Sequence, residues 1–472
     1  MGIFKQPLPE VLAYLDEVER VLRELPGGKN LTRRQKFWLG FCLTGIIVTH
    51  TLCWERFVRG SAGFYAARAL SAMLHWAPIP WGKMLIASSL WILRAHGIRE
   101  GILAIDDTDR PRSKSTTRIF GVHKTFDKKT NGFFMAQNIV KLVLISKSIT
   151  FPVGFEFFRP DPVLKAWSVN DRRLKDEGVK KAERPKKPPR DKAFPSRQNI
   201  AAKLLRQFKC IADFVAIKAI VFDAAYMSKY FRGECAKIYP QAQLISQLKS
   251  SQIVTPKSGK AKNLRDYFAK QKPVSLNVRL RDMEPTAIEM VSARLKVQAL
   301  KGRTMLVIAL KYAGETDYRY IVANNITWRS LDVVKAYAFR WLVEVVIEDW
   351  KLYEGFGKLA YQQGEDGARR GLCLSLLVDQ FLLQHPQQLR LAQTGQPLQT
   401  VGTMMRQLQT RCLIRRIESI LESAEPKAAL QEFAQQLFQV VQFRPSDKHM
   451  SGKAFGDLGP SPALHLRFAN TA

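Results

Sequence analysis

A chain of 472 residues, 46% hydrophobic, 10% aromatic and 24% charged, has the composition of a folded globular protein with room for two to four domains. Its formal charge of +33 exceeds what solubility requires and points to a polyanionic partner, nucleic acid ahead of an acidic membrane surface. Six scattered cysteines without a CxxC pair argue against a zinc ribbon or disulfide framework and for reduced thiols in a cytoplasmic protein, and seven dispersed histidines without HExxH give a His-based metal site no support.

The first 100 residues read as helical, and as a helical DNA-binding domain. Helical spacing runs through PEVLAYLDEVERVLREL to Pro26-Gly27-Gly28. Thr32 is placed to cap the next helix, Ser61 to start another, and GKMLIASSLWILRAHG closes the region. Residues 37–54 are largely apolar but interrupted by Gly40, Thr44, Gly45, Thr49, His50 and Thr51, and are short for a bilayer span, so they read as a buried helix. The N-terminus has no signal-peptide pattern and no membrane role is expected. Arg33, Arg34, Lys36, Arg56 and Arg59 lie between the helices, as DNA binding requires; a bundle that only packs on its neighbour is the alternative.

Residues 101–251 change character. A short apolar strand at 102–105 runs into Asp106-Asp107-Thr108-Asp109, and KLVLISKSITFPVGFEFF reads as two strands with a turn at Lys147-Ser148. His123, among Lys124, Lys128 and Lys129, reads as part of a solvated loop. After Arg159-Pro160-Asp161-Pro162 the chain turns loop-like and basic: residues 172–192 hold ten Lys/Arg against four Asp/Glu and three prolines, a solvated run or a strip that grips phosphates. A helix at 197–211 precedes a strand from Ala216 to Phe222, which ends on Asp223 with a helix after Ala224, and AQLISQLKS is a further strand. Strands ending in acids and alternating with helices describe an α/β layer.

Residues 252–329 read as a β-rich insertion, with strands at TAIEMVSARLKVQ, TMLVIALKY and YRYIVANN. Residues 330–385 return to helix, and residues 386–472 form a helical C-terminal region with a loose tail after Arg444. Within the returning part, YAFRWLVEVVIEDWK (337–351) reads as one helix. Phe339, Val343, Val346, Ile347 and Trp350 fall on a core side, and Tyr337, Arg340, Glu344, Glu348 and Lys351 fall together opposite them, within roughly 80° of arc. An amphipathic surface helix with its charges in water is the plain alternative.

Three acids far apart in the chain thus stand out: Asp106 and Asp223 after strands, and Glu344 on a helix. Clustered carboxylates without His or Cys suit hard divalent cations, Mg²⁺ or Mn²⁺. Two such ions about 4 Å apart can activate a water and stabilise the leaving oxygen in phosphodiester cleavage.

The spacing Tyr337-x2-Arg340-x3-Glu344-x6-Lys351 resembles the YREK signature of bacterial insertion-sequence transposases of the DDE type. LAIDDTD and IVFDAAY resemble the settings of their two aspartates. The resemblance covers roughly residues 100–385. It implies an RNase H-like catalytic core interrupted by the β-rich insertion, and cut-and-paste transposition by a homodimer on double-stranded DNA at terminal inverted repeats and target. It also implies Asp106, Asp223 and Glu344 as catalytic metal ligands, with Tyr337, Arg340 and Lys351 on phosphates beside the cut. Asp107 and Asp109 are as acidic as Asp106, Glu348 shares the face of Glu344, and Asp223 could merely cap a helix. Trp328, near the end of the insertion, is a candidate to stack on a flipped base, or a core tryptophan. Gln247 follows a strand on the same side and could touch DNA. A retired, DNA-binding descendant of such an enzyme and an RNase H-like nuclease without strand joining are the competing functions.

Overall fold

Apolar side chains at every second position of the central strands decide the layering, because successive residues of a strand face opposite ways. Leu103 and Ile105 of the first long strand, with Ile220, Phe222 and Leu244, enter one apolar cluster; Ala104, Ala219, Val221 and Ile245, between them in sequence, enter another. A sheet buried on both faces is the result. The computed structural model describes residues 2–112, 116, 118–127, 131–279, 284–300, 302–357 and 364–440.

Five helices come first: α1 (Pro9–Glu24), α2 (Arg33–Thr49), α3 (Trp54–Gly60), α4 (Ala67–Trp76) and α5 (Trp81–Ala95). Thr32 caps α2 as its sequence predicts, accepting from the Gln35 amide while the Gln35 side chain accepts from the Thr32 amide. Residues 38–47 are buried in α2, and among the described residues no helix is long and apolar enough to cross a membrane. Ser61 does not start a helix; it follows the end of α3, and α4 begins at Ala67. The N-terminal helices share one apolar cluster with the sheet and with the late helices, through residues such as Tyr14, Trp38 and Leu90 against Leu377 and Met405.

The sheet then builds outward from β1 (Glu100–Arg112). β2 (Val122–Asp127), β3 (Gly132–Ile145) and β4 (Thr150–Phe158) are antiparallel to their neighbours, β3 pairing with β1 along its length. Lys147-Ser148 makes the expected turn between β3 and β4. His123 lies in strand β2, not in a loop, because Val122–Asp127 find partners on the first half of β3. Nor is the segment after Arg159 all loop: Asp161 accepts from the Val163 and Leu164 amides, Pro162 occupies the first turn, and α6 (Pro162–Asp176) follows. α7 (Arg197–Ile211) leads to β5 (Ala216–Phe222), which pairs parallel to β1. A single 3₁₀ turn (Ala224–Tyr226), rather than a helix, follows Asp223; α8 (Lys229–Ile238) starts after Ser228. β6 (Gln243–Leu248) pairs parallel to β5. Antiparallel β4, β3 and β1 thus run into parallel β5 and β6, the RNase H-like order that the resemblance implies, with α7 and α8 over one face.

The β-rich stretch comprises β7 (Ile253–Thr255), β8 (Lys262–Asn263), α9 (Leu264–Phe268), β9 (Val274–Val278), β10 (Thr286–Val297), β11 (Arg303–Tyr312) and β12 (Arg319–Ala323). It extends the core sheet, since β12 pairs antiparallel with β6. The remaining helices are α10 (Ser330–Ala338), α11 (Trp341–Leu352), α12 (Gly364–Gln384), α13 (Pro386–Gln393), α14 (Val401–Leu421) and α15 (Pro426–Val440). The tail after Arg444 lies outside the described residues.

Candidate active site

Two of the three acids meet through strand register. β1 and β5 are paired in parallel up to Ile105 opposite Phe222, and Asp106 and Asp223 are the next residue on each strand. Neighbouring strands lie about 5 Å apart, so the two backbones carry their carboxylates side by side. Alternation places both on the face of Ala104 and Val221, beneath α10 and α11. Asp106 does not end its strand, as the sequence suggests. β1 continues to Arg112 because β3 goes on supplying hydrogen-bond partners; what ends at Asp106 is the pairing with β5. Asp223 does accept from the Ala224 amide (2.7 Å), so its turn-capping role is real and leaves its second oxygen for other work.

The third acid arrives on a broken helix. Residues 337–351 are not one helix: α10 ends at Ala338 and α11 starts at Trp341, the junction being closed by the Arg340, Leu342 and Val343 amides bonding three residues back. Val343, Val346 and Ile347 of α11 bury against the sheet, each contributing about 1.5–3 kcal/mol. Glu344, Glu348 and Lys351 face outward along a cleft of 430 Å³ that Asp106, Asp107 and Thr108 also line. The break rotates Tyr337 off that polar face and into the apolar layer, where it is 8% exposed. Its hydroxyl is buried with no hydrogen-bond partner among the described residues.

Arg340 ties these pieces together. It donates to Asp106 Oδ2 (3.1 Å) and to Glu344 Oε1 (2.5 Å), four residues along. Burial works against its charge, but Tyr337, Asp106 and Glu344 outweigh burial and hold its pKa above the ordinary value. Burial pushes the Asp106 carboxyl up to about 6; the Asp107 amide and Arg340 resist, and the charges of Asp107 and Asp223 add to the rise. The Tyr337 phenol is raised by burial, and it senses both Asp223 and Asp106. Trp328 is half-buried against the apolar layer under α10. Gln247 lies in β6 opposite Ile321.

A family model described as DDE superfamily endonuclease matches residues 65–305, just over half of the chain. The chain belongs to the DDE superfamily endonucleases. The matched stretch holds Asp106 and Asp223 and ends before Glu344. No curated protein matches the chain. Among solved structures it is similar to the piggyBac transposase synaptic complex with hairpin DNA, seen by cryo-EM, at 8% identity and a TM-score of 0.43, over 97% of this chain and 89% of that one.

Asp107 and Asp109, the rivals of Asp106, occupy the reverse face of β1 in this DDE endonuclease. Asp107 accepts from Tyr226 Oη (3.2 Å) and Asn138 Nδ2 (2.9 Å) and pairs with Arg197 Nε (3.2 Å); Asn138 also donates to Asp109 (3.0 Å). This network escaped sequence reasoning, since its members come from β1, β3, α7 and the turn after β5. Lys141 was a readable signal: a lone lysine in the apolar run IVKLVLI. It sits on β3 directly opposite Asp106, fully buried, with its ammonium 3.9 Å from the centre of the Trp350 ring. Burial lowers its pKa to about 8, against the pull of Asp379 and Glu354.

Whether the acids suit divalent metal is a question of donors and room. Asp106, Asp223 and Glu344 offer only carboxylate oxygen, the chemistry a hard cation prefers. Among the described residues no three Asp, Glu, His or Cys side chains stand close enough to share one ion. The gap between Asp106 and Glu344 holds the Arg340 guanidinium, a cation already lodged between the two. The donor chemistry and the preference for positive charge at that point suit a divalent cation, and to share one the acids must draw closer as Arg340 leaves the gap.

Proposed function

We propose that this DDE endonuclease is a DNA transposase, which cuts a mobile element at its terminal inverted repeats and joins it to target DNA. The reading is supported most by one observation: Asp106 and Asp223 leave adjoining parallel strands at the same level and face, and Arg340 draws Glu344 to Asp106. Asp106, Asp223 and Glu344 would hold two divalent cations, Mg²⁺ or Mn²⁺, which supply activation of a water or 3′-hydroxyl and stabilise the leaving oxygen.

The chain's other residues position the DNA. The planar fork of Arg340 suits a phosphate oxygen, and Tyr337, buried with its hydroxyl in the apolar layer, would donate to a second only after turning outward. Lys351, about two helical turns beyond Glu344 on the same cleft, adds a compact charge along the strand path. Trp328 would stack on a base turned out beside the cut, a role that the resemblance alone suggests. The helices of residues 1–100 are assigned to duplex binding, and a homodimer brings two element ends together.

Incubating the protein with Mg²⁺ and duplex carrying the matching element ends tests this. Excision followed by insertion is expected. Nicking without joining makes the protein a nuclease, and a gel shift without cleavage makes it a DNA-binding protein that keeps the core as scaffold. The last alternative has a specific observation behind it, the guanidinium seated between two of the acids. Binding should also fall steeply between low and moderate salt as counterions are released.

A further inference from the structure

The far end of the β2–β3 hairpin carries an exposed aromatic pair that the site above does not use. Phe126 and Phe133 are 47% and 57% exposed, directly opposite each other in the ladder, with ring centres 5.3 Å apart and nearly edge to face. Lys124, two residues before Phe126, holds its ammonium 4.7 Å from the centre of the Phe133 ring. Two large phenyl groups left in water on an outer strand ask for an occupant.

Register says which way they face. On β3, Phe133 and Lys141 are an even number of residues apart, and Lys141 lies opposite Asp106. Alternation therefore places Phe133, its partner Phe126 and Lys124 on the same face of the sheet as Asp106. The eight-residue stretch between Phe133 and Lys141 spans at most roughly 26 Å. Along B-DNA that is about seven or eight base pairs.

We propose that the outer ends of β2 and β3, around Phe126 and Phe133, are a second contact for duplex DNA. Phe126 and Phe133 lie in the minor groove less than one helical turn from the cut, and Lys124 sits at a neighbouring phosphate. The inference rests on the DNA-cutting reading. Charge selects DNA as the occupant: the chain carries +33, and Lys124 already sets its ammonium over the Phe133 ring. Apolar wedges in the minor groove are a known use of phenylalanine in DNA-bending proteins.

The test is binding of a fluorescein-labelled duplex of about 30 base pairs, long enough to span both contacts, measured by anisotropy across a salt series. The double variant F126A/F133A should weaken binding about tenfold at every salt, with the slope of log K against log salt unchanged, because no phosphate contact is lost. K124Q should instead lower that slope by about one, and F126L/F133L should recover most of the affinity. All three substitutions are exposed, so an unchanged melting temperature separates contact from folding. Binding of F126A/F133A within twofold of wild type overturns this contact while leaving the transposase reading intact. Unchanged DNA binding with a lower particle mass by light scattering assigns the pair to a second copy of the chain and also overturns it. If the wild-type protein binds no duplex, both readings fall.

Discussion

On one face of β1, Asp106 shares a single guanidinium with Glu344 at an open cleft; on the other, one residue later, Asp107 accepts from Tyr226 and Asn138 and pairs with Arg197. The two carboxylates are adjacent in sequence and both partly buried, yet one is left with coordinating capacity and the other is saturated. A satisfied buried acid holds elements together: Asp107 links β1 to β3, α7 and the turn after β5. An acid held by one guanidinium and its neighbour's amide, beside another acid after the next strand, can exchange the guanidinium for a ligand. Spare capacity, rather than acidity, separates the two faces.

The comparison breaks most sharply under alanine. D106A, D223A and E344A should each lower cleavage on the order of a thousandfold, the size seen when one preorganised electrostatic group is lost, with melting temperature and duplex affinity nearly unchanged. D107N should do the reverse, costing about 1–3 kcal/mol of stability as its donors lose a charged acceptor, while the folded fraction still cuts. Cleavage by D106A near the wild-type rate, or its abolition in fully folded D107N, would exchange the roles of the two faces.

Lys141 gives the next largest effect. Replacing it with Met keeps the apolar stem under Trp350 but removes the cation that faces Glu354 and Asp379, both buried. Removing one member of a buried charge cluster typically costs about 3–5 kcal/mol. Urea unfolding of K141M should show that loss, and the triple variant K141M/E354Q/D379N should regain part of it. No recovery would mean that Lys141 acts through packing on Trp350 alone.

Much of this was legible in the chain. Alternating apolar runs predict β1, β3, β4, β5 and β6, and the spacing of Tyr337, Arg340, Glu344 and Lys351 singles out the stretch that meets Asp106. Two things were not. A helical wheel assumes an unbroken helix, and nothing in Ala338-Phe339-Arg340, without Gly or Pro, announces the junction; Tyr337 therefore reads as exposed when it is buried. Choosing among Asp106, Asp107 and Asp109 needs the register against β5, a parallel pairing more than a hundred residues away in sequence. Propensity carries local preference, whereas register is decided by partners.

Glu156 provides the smallest and most selective check, because it is a saturated acid on the reverse face of the sheet, two strands from β1. On β4, it accepts from Lys203 of α7 (2.7 Å), from Arg369 of α12 and from the Phe157 amide (3.0 Å). Burial alone would raise its pKa, but the bonds from Lys203 and Arg369 prevail and hold it below the ordinary carboxylate value. A folded-state pKa below the unfolded one means that the proton is bound more weakly in the native protein. The stability Glu156 contributes is therefore fully present above the unfolded value of about 4.3 and is lost as pH falls through the lower, folded value. E156Q should lower stability by about 1–2 kcal/mol at pH 7, and the gap from wild type should close once both side chains are neutral in acid. A gap that stays constant from neutral to acid pH would show that the amide disturbs packing between β4, α7 and α12, and that the charge on Glu156 contributes nothing.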